Sequence, residues 1–150
     1  MKQSPDIVKL EEVLRSSKLV LGGFMGDDRR TLTEVLDADA AVLEKAGIDA
    51  KQLADRMQQI TDRAVAGLGT WVDIDGKLMA KVDEAKGEIV CPWPHPASFA
   101  KRVTTVKCVK STQTLKWSDL GIHLISEHGF FEGNGSQLRT EPKELIKMLL

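Results

Sequence analysis

The sequence places one of its two cysteines and all three of its histidines in two closely spaced pairs. Cys91 and His95 are separated by three residues, and His123 and His128 by four. Such separations are typical of a zinc site in which a tight loop supplies two ligands and a helix end supplies two more. Thiolate and imidazole are donors that suit Zn²⁺. The spacing therefore predicts a zinc site formed by Cys91, His95, His123 and His128.

The first pair lies in a stretch that proline stiffens, since residues 91–96 read Cys-Pro-Trp-Pro-His-Pro. Because proline fixes its own φ, holding Cys91 and His95 together costs less conformational entropy. The second pair is less favourably placed, because five positions along an ideal helix rotate a side chain by about 140°. One ion can bind both His123 and His128 if the last turn of the helix loosens, and Gly129 permits that change.

Other interpretations of these residues stay open. Cys108 is an alternative ligand in place of His95, although its predicted strand position is equally typical of a buried, inert thiol. His128 also suits a helix C-terminus without any metal, and Cys91 suits an apolar core position. Iron is an alternative to zinc.

Four protein ligands complete a tetrahedron, whereas catalytic zinc usually keeps one position for water. We therefore expect a structural ion in a small binding or regulatory module, with a protein as the partner. The alternative is a metal-dependent hydrolase in which Glu127 or Glu132 acts as general base on zinc-bound water. The run from His123 to His128 resembles the inverted zinc-peptidase motif His-x-x-Glu-His but has one residue too many.

A basic stretch offers a further alternative. Residues 89–118 contain no acidic residue, and their basic residues are Lys101, Arg102, Lys107, Lys110 and Lys116. This local charge of +5 in a chain of net charge −1 is compatible with nucleic-acid contact. Alternating lysines on a strand also occur simply as a solvated face that discourages edge pairing.

Helices are predicted in the first 69 residues. Apolar residues recur at helical spacing from Ile7 to Leu21, with Gly22 as the stop. A second helix, capped by Asp27 or Asp28, ends at Gly47. A third begins at Asp49, which stands in capping-box relation to Gln52, and its apolar stripe continues to Leu68.

Strands dominate after Gly69. Asp75-Gly76 between two alternating segments indicates a β-hairpin over residues 71–82. Further strands are predicted at 88–91, 103–109 and 114–117, a helix at 120–128 with Gly129 as its left-handed stop, and a last helix at 145–150.

The order of these elements predicts an α+β fold, with a helical part at 1–69 packed against a β-rich, metal-binding part at 70–150. The two parts can also form one compact domain. The Cys-Pro-x-x-His segment resembles a zinc knuckle, and together with the strands and the His-x4-His helix it resembles a zinc-finger arrangement over about a quarter of the chain. The resemblance implies a zinc-stabilised module.

Composition bounds the remaining function classes. The chain has 150 residues, 42% of them hydrophobic and 29% charged, which is typical of a soluble globular protein. Its basic and acidic residues nearly cancel, so net charge indicates no particular partner. The N-terminus lacks the pattern of a signal peptide, and no apolar run is long enough to span a membrane. We therefore expect a cytoplasmic protein.

Overall fold

The computed structural model describes residues 3–150, which contain five helices and one four-stranded antiparallel sheet. The expected α+β fold is confirmed. The helices are α1 (Pro5–Arg15), α2 (Leu32–Ala46), α3 (Ala50–Val65), α4 (Asp119–His128) and α5 (Pro142–Leu149). The strands are β1 (Val72–Ile74), β2 (Leu78–Val90), β3 (Ser98–Cys108) and β4 (Thr114–Ser118), and they lie in the order β1-β2-β3-β4.

The ends of the first two helices differ from the sequence prediction. Helix α1 ends at Arg15 rather than at Leu21, because Ser16 has an extended backbone (ψ 156°) and its N–H closes the last turn. Helix α2 is capped by Thr31 rather than by Asp27 or Asp28. The Thr31 side chain accepts from the backbone of Glu34, whose carboxylate accepts from Thr31 in return. This is a complete capping box, and both of its residues were visible in the sequence.

Helix α3 begins as predicted and ends earlier. Asp49 is the N-cap and accepts from the Gln52 N–H at 2.7 Å. The helix stops at Val65, and Leu68 lies outside it with a positive φ and 91% of its surface exposed. Including Leu68 in the buried stripe was therefore wrong.

The predicted hairpin is confirmed, with a longer second strand than expected. Asp75 and Gly76 have φ of 56° and 72°, which is the left-handed conformation that a tight hairpin turn requires. The segments predicted as separate strands, 77–82 and 88–91, fall almost entirely within the continuous strand β2, which leaves out only Lys77 and Cys91. A β-bulge between Ala85 and Glu88 interrupts its pairing with β3 without ending it.

Helix α4 follows β4 directly, and its ends agree with the sequence prediction. Ser118 caps it by accepting from the Gly121 N–H at 2.8 Å. Gly129 terminates it in the left-handed conformation, with φ 62°. This helix lies against α3 and β3.

Helix α3 packs its apolar side against the sheet, so helical and β-rich residues share a core. Met57 and Ile60 of α3 lie in one buried cluster with Val106 and Trp117 of the sheet. Inside it, the indole N–H of Trp117 donates to the Thr61 hydroxyl at 2.9 Å, and this hydroxyl lies 2.6 Å from that of Thr104.

A second apolar cluster joins α1 to the part of the chain that carries the predicted ligands. It contains Leu10 and Leu14 of α1, Leu120 and Leu124 of α4, and Cys91. One of the predicted metal ligands is thus part of the core.

None of the helices within residues 3–150 combines the length and the apolar composition that crossing a membrane requires.

Candidate metal centre

The ligand atoms of Cys91, His95, His123 and His128 converge, all lying within 4.8 Å of one another. The Nε2 atom of His95 lies 3.2 Å from the Cys91 Sγ atom, 3.1 Å from His128 Nε2 and 3.3 Å from His123 Nε2. The Cys91 Sγ and His128 Nε2 atoms are 3.6 Å apart. These four residues lie close enough to hold a metal ion.

These four separations, from 3.1 to 3.6 Å, are close to those around a tetrahedral ion. Bonds of about 2.0 Å to nitrogen and about 2.3 Å to sulfur place neighbouring ligand atoms about 3.3 to 3.6 Å apart. Hydrogen bonding does not explain the cluster, because a neutral imidazole Nε2 either donates one hydrogen or accepts one, while His95 Nε2 has three polar neighbours. A shared cation would satisfy all four donors at once.

The loop between β2 and β3 places the first two ligands. Cys91 directly follows β2, and its N–H donates to the Ala97 carbonyl at 3.0 Å, which closes the loop at its base. Within the loop, the His95 N–H donates to the Trp93 carbonyl at 2.8 Å and so turns the chain back. The residue between Trp93 and His95 is Pro94, whose ring fixes its own φ. The backbone of the loop therefore helps to hold His95 close to Cys91.

Helix α4 supplies the other two ligands without the loosened final turn that we expected. It remains α-helical to His128, and the Gly129 N–H donates to Ile125 as in a regular helix. The rings of His123 and His128 are 5.3 Å apart and nearly perpendicular, at 80°. The side chains therefore close the angular gap, because Nε2 is the ring nitrogen that lies farther from the backbone.

Aromatic rings hold the ligand rings in place, a feature that the sequence analysis missed. The Trp93 ring stacks on His128 with centroids 4.2 Å apart and planes at 10°. Phe99 lies 4.7 Å from the His123 ring, and Phe130 packs against Trp93 at 5.5 Å. The position of Trp93 between two prolines, midway between the two predicted ligands of the loop, was the sequence feature that could have predicted this packing.

Burial favours the neutral forms of His123, His128 and Cys91. It lowers the pKa of His128 to about 4 and also lowers the pKa of His123, and the neighbouring histidines add to both effects. Both imidazoles are therefore neutral at pH 7 and ready to bind through nitrogen. Burial raises the pKa of the Cys91 thiol, so an ion has to displace its proton.

The alternative ligand Cys108 lies away from this group. It ends β3 and pairs with Leu78, whereas the first residue of β3, Ser98, pairs with Val90 beside the site. Ten residue steps along a strand span roughly 30 Å. Cys108 is half-buried at the opposite end of the sheet.

The two candidate bases occupy different places. Glu127 is exposed and lines a shallow depression of about 610 Å³ beside His95, His123 and His128. Glu132 does not line it. Its side chain is 6% exposed and accepts a hydrogen bond from Ser136, and its positive φ directs the chain away after α4. Glu132 is therefore wrongly placed for a base at this centre.

The five basic residues do not form one patch. Strand alternation puts Lys101 and Lys107 on the face of β3 opposite the buried Thr104, and Lys116 pairs with Thr105 on that same outer face. The other two lie elsewhere. Arg102 forms ion pairs with Glu84 at 2.8 Å and with Asp119 at 3.0 Å, and Lys110 lies in the turn before β4.

Comparison of the chain with protein-family models, with curated proteins and with solved structures finds no match.

Proposed function

We propose that Cys91, His95, His123 and His128 bind one Zn²⁺ ion that has a structural role. The observation that carries this proposal is the set of distances from His95 Nε2 to three other ligand atoms, between 3.1 and 3.3 Å. One thiolate and three imidazoles are soft and borderline donors that suit zinc, and they fill its tetrahedron without water.

The proposed ion connects the β2–β3 loop to the end of α4. Because Cys91 belongs to the cluster that also contains Leu10 and Leu14, binding energy at the metal becomes folding energy for α1 as well. The structure has exposed residues around the proposed ion, including Pro94 and Glu127. We assign the protein the role of a small zinc-stabilised binding or regulatory module that presents this surface to a protein partner.

The metal assignment is tested by elemental analysis and X-ray absorption of the purified protein. One zinc per chain with one sulfur and three nitrogen neighbours is expected. His123→Ala should lose the metal, whereas Cys108→Ser, a matched control at the far end of β3, should keep it. A fully metal-free protein that melts at the same temperature with and without added zinc would refute the proposal.

The partner assignment is tested with a photo-reactive amino acid at position 127, beside the centre, and at the exposed position 110 as the control. Cross-links from position 127 that disappear after chelation, with none from position 110, are expected. Equal cross-linking from both positions contradicts a partner surface at the metal centre.

A second candidate function is a zinc-dependent hydrolase, and the position of Glu127 favours it. Its carboxylate borders the depression beside three of the ligands, where it can serve as a general base if one histidine gives way to water. Hydrolysis of an activated ester by the zinc-loaded protein, lost in Glu127→Gln with metal content unchanged, would favour this function. A rate equal to that of free zinc would exclude it.

A further inference from the structure

A cavity of about 460 Å³ lies away from the metal ligands, between the segment after α1, the bulged part of β2 and β3, and the segment after α4. Its volume is within the usual range for small-molecule sites. Most of its wall is apolar and is formed by Leu19, Val20, Phe24, Ile89, Leu120 and Leu138. A ligand with an apolar body fits such a wall.

One polar group in this wall is Glu132, which is 94% buried, since 6% of its surface is exposed. Its backbone is held rigidly. The next residue, Gly133, donates to the Phe24 carbonyl at 2.9 Å and lies so close to Met25 that a Cβ atom would clash. The Asn134 N–H donates to Asp28 at 3.0 Å. The backbone that carries the carboxyl group is therefore held in place before any ligand arrives.

The Glu132 carboxyl group forms no ion pair with any of residues 3–150, and Ser136 supplies its one hydrogen bond there. The neighbouring Arg139 donates to the backbone carbonyl of Glu132, while its guanidinium is bound to Asp39 at 2.8 Å and to Glu141 at 3.1 Å. A carboxylate enclosed without a counter-ion favours a cationic ligand over an anionic one.

We propose that this cavity binds a small organic amine, with its ammonium group on the Glu132 carboxylate and its apolar body among the leucines and Phe24. If each non-hydrogen atom takes about 30 Å³, as a water molecule does, the cavity holds on the order of fifteen atoms. The assignment is independent of the zinc site, because none of the four metal ligands lines this cavity.

Burial agrees with this geometry, because it raises the pKa of Glu132 to about 7. The carboxylate form is thus available near neutral pH, and a bound ammonium group supplies the partner that burial denies it. Amine affinity should then increase about tenfold from pH 6 to pH 8, following the ionised fraction. The charged groups Asp83, Glu84, Lys101 and Arg102 in the lining, and Arg139 beside the Glu132 carbonyl, are unchanged in a Glu132→Gln variant, so that variant isolates the contribution of Glu132.

The test uses the zinc-loaded full chain and three probes with one aromatic skeleton: 2-phenylethylamine, 2-phenylethanol and phenylacetate. Calorimetry at pH 8 should show the amine binding at least tenfold more tightly than the alcohol, and phenylacetate not binding. Glu132→Gln should remove this preference and the pH dependence. Equal affinity for amine and alcohol, or an unchanged preference in the variant, would overturn the proposal.

A second variant locates the binding. Ala85 is exposed and lines the cavity, so Ala85→Trp should obstruct it without removing a core contact. We expect this variant to lose amine binding while keeping its zinc and its melting temperature. Retention of the wild-type affinity would place the amine elsewhere and refute the cavity assignment.

Discussion

Loading the metal-free protein with zinc at pH 7.5 should release close to one proton per ion, and that proton should come from Cys91. Burial raises the pKa of its thiol, so this group is protonated before the metal arrives and is a thiolate afterwards. Burial lowers the pKa of His128 to about 4 and lowers that of His123, so these rings have no proton to lose.

The number of protons released is measured by titrating zinc calorimetrically in three buffers that differ in ionisation enthalpy. The slope of the observed heat against that enthalpy gives the proton count, with an expected value of about one. Zinc affinity should accordingly increase about tenfold from pH 7 to pH 8, because one proton competes with the ion. Cys91→Ala should reduce the count to near zero and remove most of this pH dependence.

A wild-type count near zero would refute the reasoning, because it would mean that no thiol proton is displaced. A count near two would also refute it, since a second ligand would then have to be protonated at neutral pH. Cys108→Ser is the control and should give the wild-type count, because this cysteine lies at the opposite end of β3.

Three further predictions concern stability and affinity. Thr61→Val leaves the buried Trp117 N–H without its acceptor and should lower the free energy of urea unfolding by about 1 to 3 kcal/mol. Thr61→Ser keeps a hydroxyl acceptor and should lose much less stability. Equal losses in the two variants would contradict the hydrogen-bond explanation. Glu132→Gln should gain stability relative to wild type as pH rises. Burial raises the pKa of Glu132 from 4.5 to about 7, so its protonated form contributes stability to the wild-type protein that is fully present below pH 4.5 and is lost as pH rises through 7. The difference in unfolding free energy between the variant and wild type should therefore widen by about 2 kcal/mol from pH 5 to pH 8. A difference that stays constant would refute the burial argument. Trp93→Leu removes the ring stacked on His128 and should weaken zinc affinity about three- to tenfold, as measured in competition with a chromophoric chelator. Trp93→Phe keeps an aromatic ring and should lose less zinc affinity. Unchanged affinity in both variants would show that stacking does not position His128.

The parts of the fold that were predictable from sequence depend on local chemistry. Three features were predicted correctly because each depends only on residues close by in the sequence: the helix cap at Asp49, the turn at Asp75-Gly76 and the helix end at Gly129. The errors arose where distant contacts decide. Residues 83–90 continue β2 because β3 pairs with them across a bulge, and neither the partner nor the bulge is apparent in the local pattern.

The candidate site was predictable in its membership and not in its surroundings. Spacing indicated the four ligands, because a metal centre requires pairs of donors on adjacent turns or loops. The three imidazoles point their Nε2 atoms toward one another because of their ring orientations, and Trp93 and Phe99 pack on these rings from other elements. The separation of Glu132 from the metal centre required the turn after α4, where a non-glycine residue takes a positive φ that sequence patterns do not reveal.

Helix α4 lies between the two proposed sites and explains why they can be tested separately. Leu120 near its N-terminus lines the amine cavity, and His123 and His128 toward its C-terminus belong to the metal centre. The segment that carries Glu132 is nevertheless attached elsewhere, through the bonds of Gly133 to Phe24 and of Asn134 to Asp28. Neither of these hydrogen bonds involves a candidate metal ligand. A failure of the zinc assignment would leave the amine assignment standing, and the converse also holds.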